Sequence, residues 1–138
     1  MKPRIVLDTN VLVSALLGGA CSEVIHRWRA GELDIVLSAE IMAEYEQVLA
    51  RPKFGLPGWM VQELLGFIRE RAQWVTPAGE ERIAIRDTAD AKFLEAATAG
   101  KAAWIVSGDQ DLLALGEYKS IPIITPGQLL IRLRREAR

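Results

Sequence analysis

The feature that most constrains this chain is an acidic residue at the end of its first hydrophobic run. Ile5, Val6 and Leu7 form a short apolar run with two β-branched residues, which predicts a strand buried on both faces. Asp8 follows directly and places a carboxylate at the carboxyl end of that strand. In an open parallel sheet, this end borders the crevice where ligands bind.

A second acidic strand tip occurs late in the chain. The apolar run 104–106 also predicts a strand, and Ser107, Gly108 and Asp109 follow it. Two acidic strand tips in one small domain predict a metal site that serves phosphate chemistry.

Composition excludes several classes of protein. The 138 residues suit a single domain, 1–138, of ordinary apolar content. With one cysteine, Cys21, and one histidine, His26, a zinc site of the Cys/His type is excluded and a Ser-His-Asp hydrolase is disfavoured. No run approaches the ~18 apolar residues that span a bilayer, and no signal-peptide pattern is present, so we expect a cytoplasmic protein.

The net charge of −1 argues against nucleic-acid binding unless the acidic residues cluster around cations. Two divalent ions in such a cluster would change the charge to about +3 and leave the basic surface unopposed. We interpret the basic residues as solvated helix faces. They are Arg27 with Arg29, Arg51 with Lys53, Arg69 with Arg71, and the basic tail 132–138.

Strand-like runs alternate with helical ones, which indicates parallel βαβ units. Strands are predicted at 4–7, 34–37, 73–75, 103–106 and 121–124. Helices are predicted at 11–17, 21–30, 39–49, 59–72, 88–99 and 111–115, with a last helix from 126. Ser38 and Thr125 are predicted N-caps, and Pro122 favours an edge position for the last strand.

Two acidic residues on predicted helices lie close to apolar faces. At about 100° per residue, Asp90 shares the buried face of its helix with Phe93, so it either binds a partner such as a cation or favours the helix dipole. Glu44 borders an apolar stripe beside Val48, where it either joins the strand tips or is simply exposed. The other helix glutamates are predicted to be exposed: Glu40, Glu46, Glu63 and Glu95.

The polar residues around the strand tips have two interpretations. Thr9, Asn10 and Ser107 either hold a water or a phosphate oxygen or cap the turns, and the capping role is favoured. Asp109 either joins the site or caps the short helix after it, and Asp111 either caps that helix or binds through water.

The candidate catalytic and metal-binding residues are Asp8, Glu44, Asp90 and Asp109. Like charges at close range raise each other's pKa, so such a cluster needs compensation. Hard oxygen ligands without histidine or cysteine suit Mg²⁺ or Mn²⁺. These ions deprotonate a water and stabilise a leaving oxygen, which favours hydrolysis of a phosphodiester.

The sequence resembles the PIN-domain nucleases, most closely the VapC-like toxins of toxin–antitoxin pairs. The resemblance covers residues 4 to about 130, and four blocks in this order with this spacing are a specific signal. The blocks are Asp8-Thr9-Asn10 after a strand, Glu44 in a helix that opens with Ser38, Asp90 before 92–97, and 107–113.

The resemblance implies a three-layer α/β/α sandwich around a mainly parallel five-stranded sheet with strand order 3-2-1-4-5. It implies a Mg²⁺- or Mn²⁺-dependent endoribonuclease in which Asp8, Glu44, Asp90 and Asp109 bind the metal. It also implies an RNA substrate, a homodimer, and a small antitoxin whose tail enters the active-site groove.

Two departures from the family pattern affect the site. Related proteins often have Asp-Pro-x-Asp-Asp where this chain has Asp87-Thr-Ala-Asp90-Ala91, so Asp87 is an alternative metal ligand. Ser107 stands where threonine is common, and this exchange keeps the hydroxyl group.

Other functions fit the sequence less well. A phosphatase of the haloacid dehalogenase type needs a second acid two residues after Asp8, and Asn10 occupies that position. A receiver domain carries its phosphorylated aspartate on the third strand and a lysine after the fifth, whereas here Asp8 follows the first strand and Thr125 follows the fifth. Two alternatives stay open: a PIN-like nuclease of housekeeping RNA processing, and a PIN-like domain that binds RNA or a partner without cleavage.

Overall fold

Helices flank a mostly parallel sheet in the computed structural model, which describes residues 2–19, 21–78 and 88–136. The described strands are β1 (Arg4–Leu7), β2 (Asp34–Leu37), β3 (Gln73–Trp74), β4 (Trp104–Val106), β5 (Glu117–Tyr118) and β6 (Ile121–Ile124). The described helices are α1 (Thr9–Leu16), α2 (Ser22–Arg29), α3 (Ala39–Leu49), α4 (Gly58–Arg71), α5 (Thr88–Ala99), α6 (Gln110–Leu115) and α7 (Pro126–Glu136), with a 3₁₀ turn at Pro52–Phe54. None of these helices is long and apolar enough to cross a membrane.

The strand order is β3-β2-β1-β4-β6-β5. The α/β/α class and the predicted order of the five parallel strands are confirmed, because β6 is the strand predicted at 121–124. The sheet has one more strand than predicted, since β5 pairs antiparallel with β6 and takes the edge that Pro122 was expected to mark. Two residues are too few to show a hydrophobic period, so the sequence carries no signal for β5.

The central strands are buried because helices cover them. Ile5 of β1 lies between Ile35 of β2 and Trp104 of β4 in a parallel register. Helix α5 packs on β1, β2 and β4 and adds the buried Phe93 ring. Each fully buried aliphatic or phenyl side chain in this core contributes about 1.5–3 kcal/mol relative to exposure.

A capping side chain follows four of the parallel strands at their carboxyl ends. We call this side of the sheet, where the four carboxyl ends meet, the strand edge. These N-caps are Asp8 for α1, Ser38 for α3, Asp109 for α6 and Thr125 for α7. The predicted caps Ser38 and Thr125 are therefore confirmed, and the α6 cap is Asp109 rather than Asp111. Four helix N-termini with their positive dipole ends consequently meet at the carboxyl ends of the strands.

Candidate active site

Asp8 is the most buried acidic residue at this edge, with 7% of its surface exposed. The Ser107 hydroxyl donates to Asp8 Oδ2 at 2.7 Å, and the Asn10 backbone N–H donates to Oδ1 at 3.3 Å. Burial raises the pKa of Asp8, and the charges of Asp109 and Glu44 raise it further, while the two hydrogen bonds lower it. Asp8 therefore has two negative neighbours close enough to act on its ionisation.

Glu44 is held by two neighbouring helices. The buried Thr9 hydroxyl donates to Glu44 Oε2, and Lys92 Nζ lies 2.9 Å from Glu44 Oε1. Thr9 belongs to α1, Glu44 to α3 and Lys92 to α5. The Glu44 carboxylate thus links three helices at the strand edge, and Thr9 serves it as a positioning group rather than as a turn cap.

Tyr45 fixes α3 against the end of β1. Its buried hydroxyl donates to the backbone oxygen of Leu7 at 2.6 Å, directly before Asp8. Burial raises the pKa of Tyr45 far above its usual range, so the hydroxyl remains a donor at all ordinary pH values. The sequence shows Tyr45 only as one residue of the predicted helix 39–49, and its polar role depends on the fold.

Asp8, Glu44 and Asp90 line one cavity of about 260 Å³. The interior face of α5 and the margin of α3 therefore both border this cavity at the tip of β1. Three acidic side chains that are far apart in the sequence therefore share one opening beside the strand ends.

Asp109 lies next to this cavity and lines a second one of about 530 Å³ together with Asn10 and Asp111. Asn10 borders both cavities, so they adjoin. Asp109 Oδ2 accepts the Leu112 N–H at 3.3 Å as a helix cap, and its own N–H donates to Ser107 Oγ at 2.9 Å. The capping interpretation of Asp109 is confirmed, and the charge of Asp109 also acts on Asp8.

Among residues 2–19, 21–78 and 88–136, no three carboxylate, imidazole or thiol groups are placed to hold one metal ion. Glu44 and Asp109 instead direct oxygens to Lys92 and to the α6 backbone. The donor chemistry nevertheless fits a hard divalent ion, because Asp8 is a buried carboxylate with further carboxylates on two sides. Asp87, the alternative ligand, lies outside the described residues.

Arg51 and Lys53, which the sequence predicts on a solvated helix face, line the acidic cavity. Arg51 and Lys53 follow the end of α3 and share that cavity with Glu44. A signal for Arg51 is present in the sequence, because Glu44, Val48 and Arg51 have the spacing i, i+4, i+7 of one helical face. Lys92 also belongs to the site through Glu44, and the sequence shows it only as part of a family block.

The prediction that Glu95 is exposed is wrong, because only 5% of its surface is accessible. Helix α5 lies between the sheet and α3, so it has less solvent-facing surface than an ordinary amphipathic helix. The other three glutamates are exposed as predicted: Glu40, Glu46 and Glu63.

Comparison with known proteins gives one family match. A family model described as a PIN domain matches residues 4–111 of this chain. The matched segment begins with β1 and extends into α6, so it includes all four candidate acidic residues. Comparison with curated protein sequences gives no match.

Proposed function

This chain belongs to the PIN-domain family, and from that premise we propose that it is a metal-dependent endoribonuclease. The family has a nuclease-type fold, which supports a hydrolase at the coarse level. One observation carries the finer proposal: Asp8 is a buried carboxylate at the tip of β1 that shares a cavity with Glu44 and Asp90 and has Asp109 beside it.

We assign Asp8, Glu44, Asp90 and Asp109 as the residues that would hold Mg²⁺ or Mn²⁺. When bound, such an ion supplies an activated water and stabilises the leaving oxygen of a phosphodiester. The protein's own contribution is orientation. Ser107 and the Asn10 N–H hold the Asp8 carboxylate in one position, and the Thr9 hydroxyl does the same for Glu44 through Oε2.

Hydrolysis by a histidine base has less support in this fold. His26, the single histidine, is exposed on α2 and lines neither the cavity that holds Asp8 nor the one that holds Asp109. The polar groups that line these cavities are carboxylates, amides, cations, the hydroxyls of Thr9 and Ser14 and the thiol of Cys21, and no histidine is among them to activate a hydroxyl or the thiol. That set favours phosphodiester hydrolysis with a divalent ion over acyl transfer.

We extend the proposal to the biological role that the resemblance to VapC-like toxins implies. In this view the chain is a VapC-like toxin that forms a homodimer, acts on cytoplasmic RNA, and is neutralised by a small antitoxin. Its support is the resemblance to the VapC-like group, which the four motif blocks carry. Induced expression in a bacterial host tests it: we expect growth arrest, rescue by co-expression of an adjacent short reading frame, and no arrest with Asp8→Asn.

Cleavage of labelled RNA by protein dialysed against EDTA tests the core of the proposal. We expect cleavage after addition of Mn²⁺ or Mg²⁺ and a loss of at least about 100-fold in Asp8→Asn. Asp34→Asn is the matched control. Asp34 is the first residue of β2, so it lies at the amino ends of the strands, away from the acidic cavity, where it pairs with Lys2. Cleavage that persists in EDTA, or that Asp8→Asn retains in full, would contradict the proposal.

A further inference from the structure

The acidic cavity has a cationic rim. Arg51 and Lys53 are exposed and line the cavity that holds Asp8, Glu44 and Asp90. Within the part of the chain that the structure describes, neither cation forms an ion pair, because Glu44 is paired with Lys92 instead. Two positive charges that form no ion pair therefore stand at the rim of a cavity lined by carboxylates.

The backbone presents these two cations on a fixed turn. The Phe54 N–H donates to Arg51 O at 3.2 Å, and the Gly55 N–H donates to Pro52 O at 3.0 Å. Gly55 closes the turn in the left-handed conformation with φ 60°, which glycine adopts without steric cost. Lys53 Nζ lies 5.1 Å from the centre of the Phe54 ring. Because the turn is already ordered, an anion bound there restricts only the ends of two side chains.

The charges explain which ligand the turn can take. A polynucleotide brings a row of phosphates, and the carboxylates of the cavity repel every phosphate that is not held by a cation. A guanidinium binds a phosphate with two parallel hydrogen bonds, and an ammonium adds a point charge. Arg51 and Lys53 supply one of each at the entrance of the acidic cavity.

We propose that Arg51 and Lys53 form a phosphate subsite, which binds a non-scissile phosphate of single-stranded RNA and positions the strand over the acidic cavity. This assignment rests on the proposed endoribonuclease function and adds substrate-positioning residues to it. Both residues are positioning residues, because they bind the strand beside the reacting phosphodiester rather than at it.

Binding measured without catalysis tests the subsite. Fluorescence anisotropy of a labelled oligouridylate, in EDTA over a series of salt concentrations, gives the affinity and its salt dependence. We expect the double variant Arg51→Gln/Lys53→Gln to reduce the slope of log affinity against log salt by about 0.7, the value for one lost phosphate contact on a single strand. At about 0.1 M salt this corresponds to binding that is roughly 5-fold weaker.

A second double variant with the same loss of charge is the control. Arg134 and Arg135 are exposed near the end of α7, which begins at the strand edge and places them roughly 12 Å further along the helix axis. Arg134→Gln/Arg135→Gln is expected to bind nearly as wild type does. The charge-conserving exchange Arg51→Lys/Lys53→Arg is expected to keep most of the salt slope, and thermal melts establish that every variant is folded.

Steady-state cleavage in Mn²⁺ separates positioning from chemistry. We expect Arg51→Gln/Lys53→Gln to raise KM much more than it lowers kcat. Equal losses of salt slope in the two glutamine double variants would overturn the subsite while leaving the endoribonuclease intact. An oligoglutamate that binds with the same dependence on Arg51 and Lys53 would also overturn it, by assigning the pair to an acidic peptide. A wild type that neither binds nor cleaves RNA would overturn both the subsite and the proposed function.

Discussion

Ser107 Oγ lies 2.7 Å from Asp8 Oδ2 and donates the hydrogen bond that joins the tip of β4 to the tip of β1. The same oxygen accepts the Asp109 N–H at 2.9 Å, and Ser107 is fully buried. One hydroxyl therefore sets the positions of two candidate metal ligands. A serine that the sequence offers mainly as a turn cap is, in the fold, the link between them.

Replacing Ser107 by alanine is expected to lower the free energy of unfolding by about 1.5–3 kcal/mol, because a buried carboxylate loses a hydrogen bond. Metal-dependent cleavage should fall by about 10- to 100-fold as Asp8 loses its fixed orientation. Urea denaturation and RNA cleavage measure the two effects. Ser107→Thr keeps the hydroxyl and is the control, and wild-type cleavage by Ser107→Ala would show that Asp8 does not depend on this contact.

The stability of the metal-free protein should depend on pH through Asp8. Burial raises the pKa of Asp8 above its ordinary value of 3.8, so the native state binds this proton more tightly than the unfolded chain does. The free energy of unfolding should therefore fall as the pH rises from this ordinary value through the raised native pKa.

Asp8→Asn removes this dependence and should be at least as stable as the wild type at neutral pH without metal. Urea denaturation in EDTA at a series of pH values, with both proteins, measures the difference. Added Mn²⁺ should then stabilise the wild type but not Asp8→Asn, since an ion that binds the native state shifts the equilibrium toward it. An Asp8→Asn protein that melts several degrees lower in EDTA at neutral pH would contradict the expectation.

Much of the fold follows from the sequence because its signals are local. Strands β1, β2 and β6 and helix α3 have their predicted bounds, since short apolar runs and the Ser38 cap define them. Helix α1 begins two residues earlier than predicted, because Asp8 is at once the residue after β1 and the cap of α1. Because Asp8 serves both β1 and α1, the sequence has no separate signal for the start of α1.

The site follows from the sequence only in part. Asp8 and Asp109 are recognisable because a charge next to a buried strand is unusual, and that signal needs no tertiary information. Lys53 and Lys92 carry no such signal, because basic residues are common on surfaces, and Arg51 shows only its i, i+7 spacing from Glu44. Their roles depend on which elements meet at the strand edge, which is a property of the packed structure.

Asp90→Asn is expected to reduce metal-dependent cleavage by at least about 100-fold and to leave the fold unchanged. The reason is the position of Asp90 in the same cavity as Asp8 and Glu44. Cleavage assays over a series of Mn²⁺ concentrations measure the effect, with Asp34→Asn as the control of equal charge. Full activity of Asp90→Asn would transfer the role of third ligand to Asp87.

We expect Lys92 to compete with a divalent ion for the carboxylate of Glu44. Lys92 Nζ lies 2.9 Å from Glu44 Oε1, and both side chains are largely shielded from solvent, with 15% and 29% of their surfaces exposed. In Lys92→Met the Glu44 carboxylate would remain beside Asp8 and Asp90 without its ammonium partner. The metal-free protein should therefore lose about 1–3 kcal/mol of stability.

The same substitution should strengthen metal binding. Without the ammonium the cavity is more negative and both oxygens of Glu44 become accessible to a divalent ion, so the Kd for Mn²⁺ should fall. Isothermal titration with Mn²⁺ measures this change, and Lys101→Met, exposed just beyond the same helix, is the control. Weaker Mn²⁺ binding by Lys92→Met would mean that the ammonium positions Glu44 for the ion. The direction of the change in Kd therefore distinguishes a competing lysine from a supporting one.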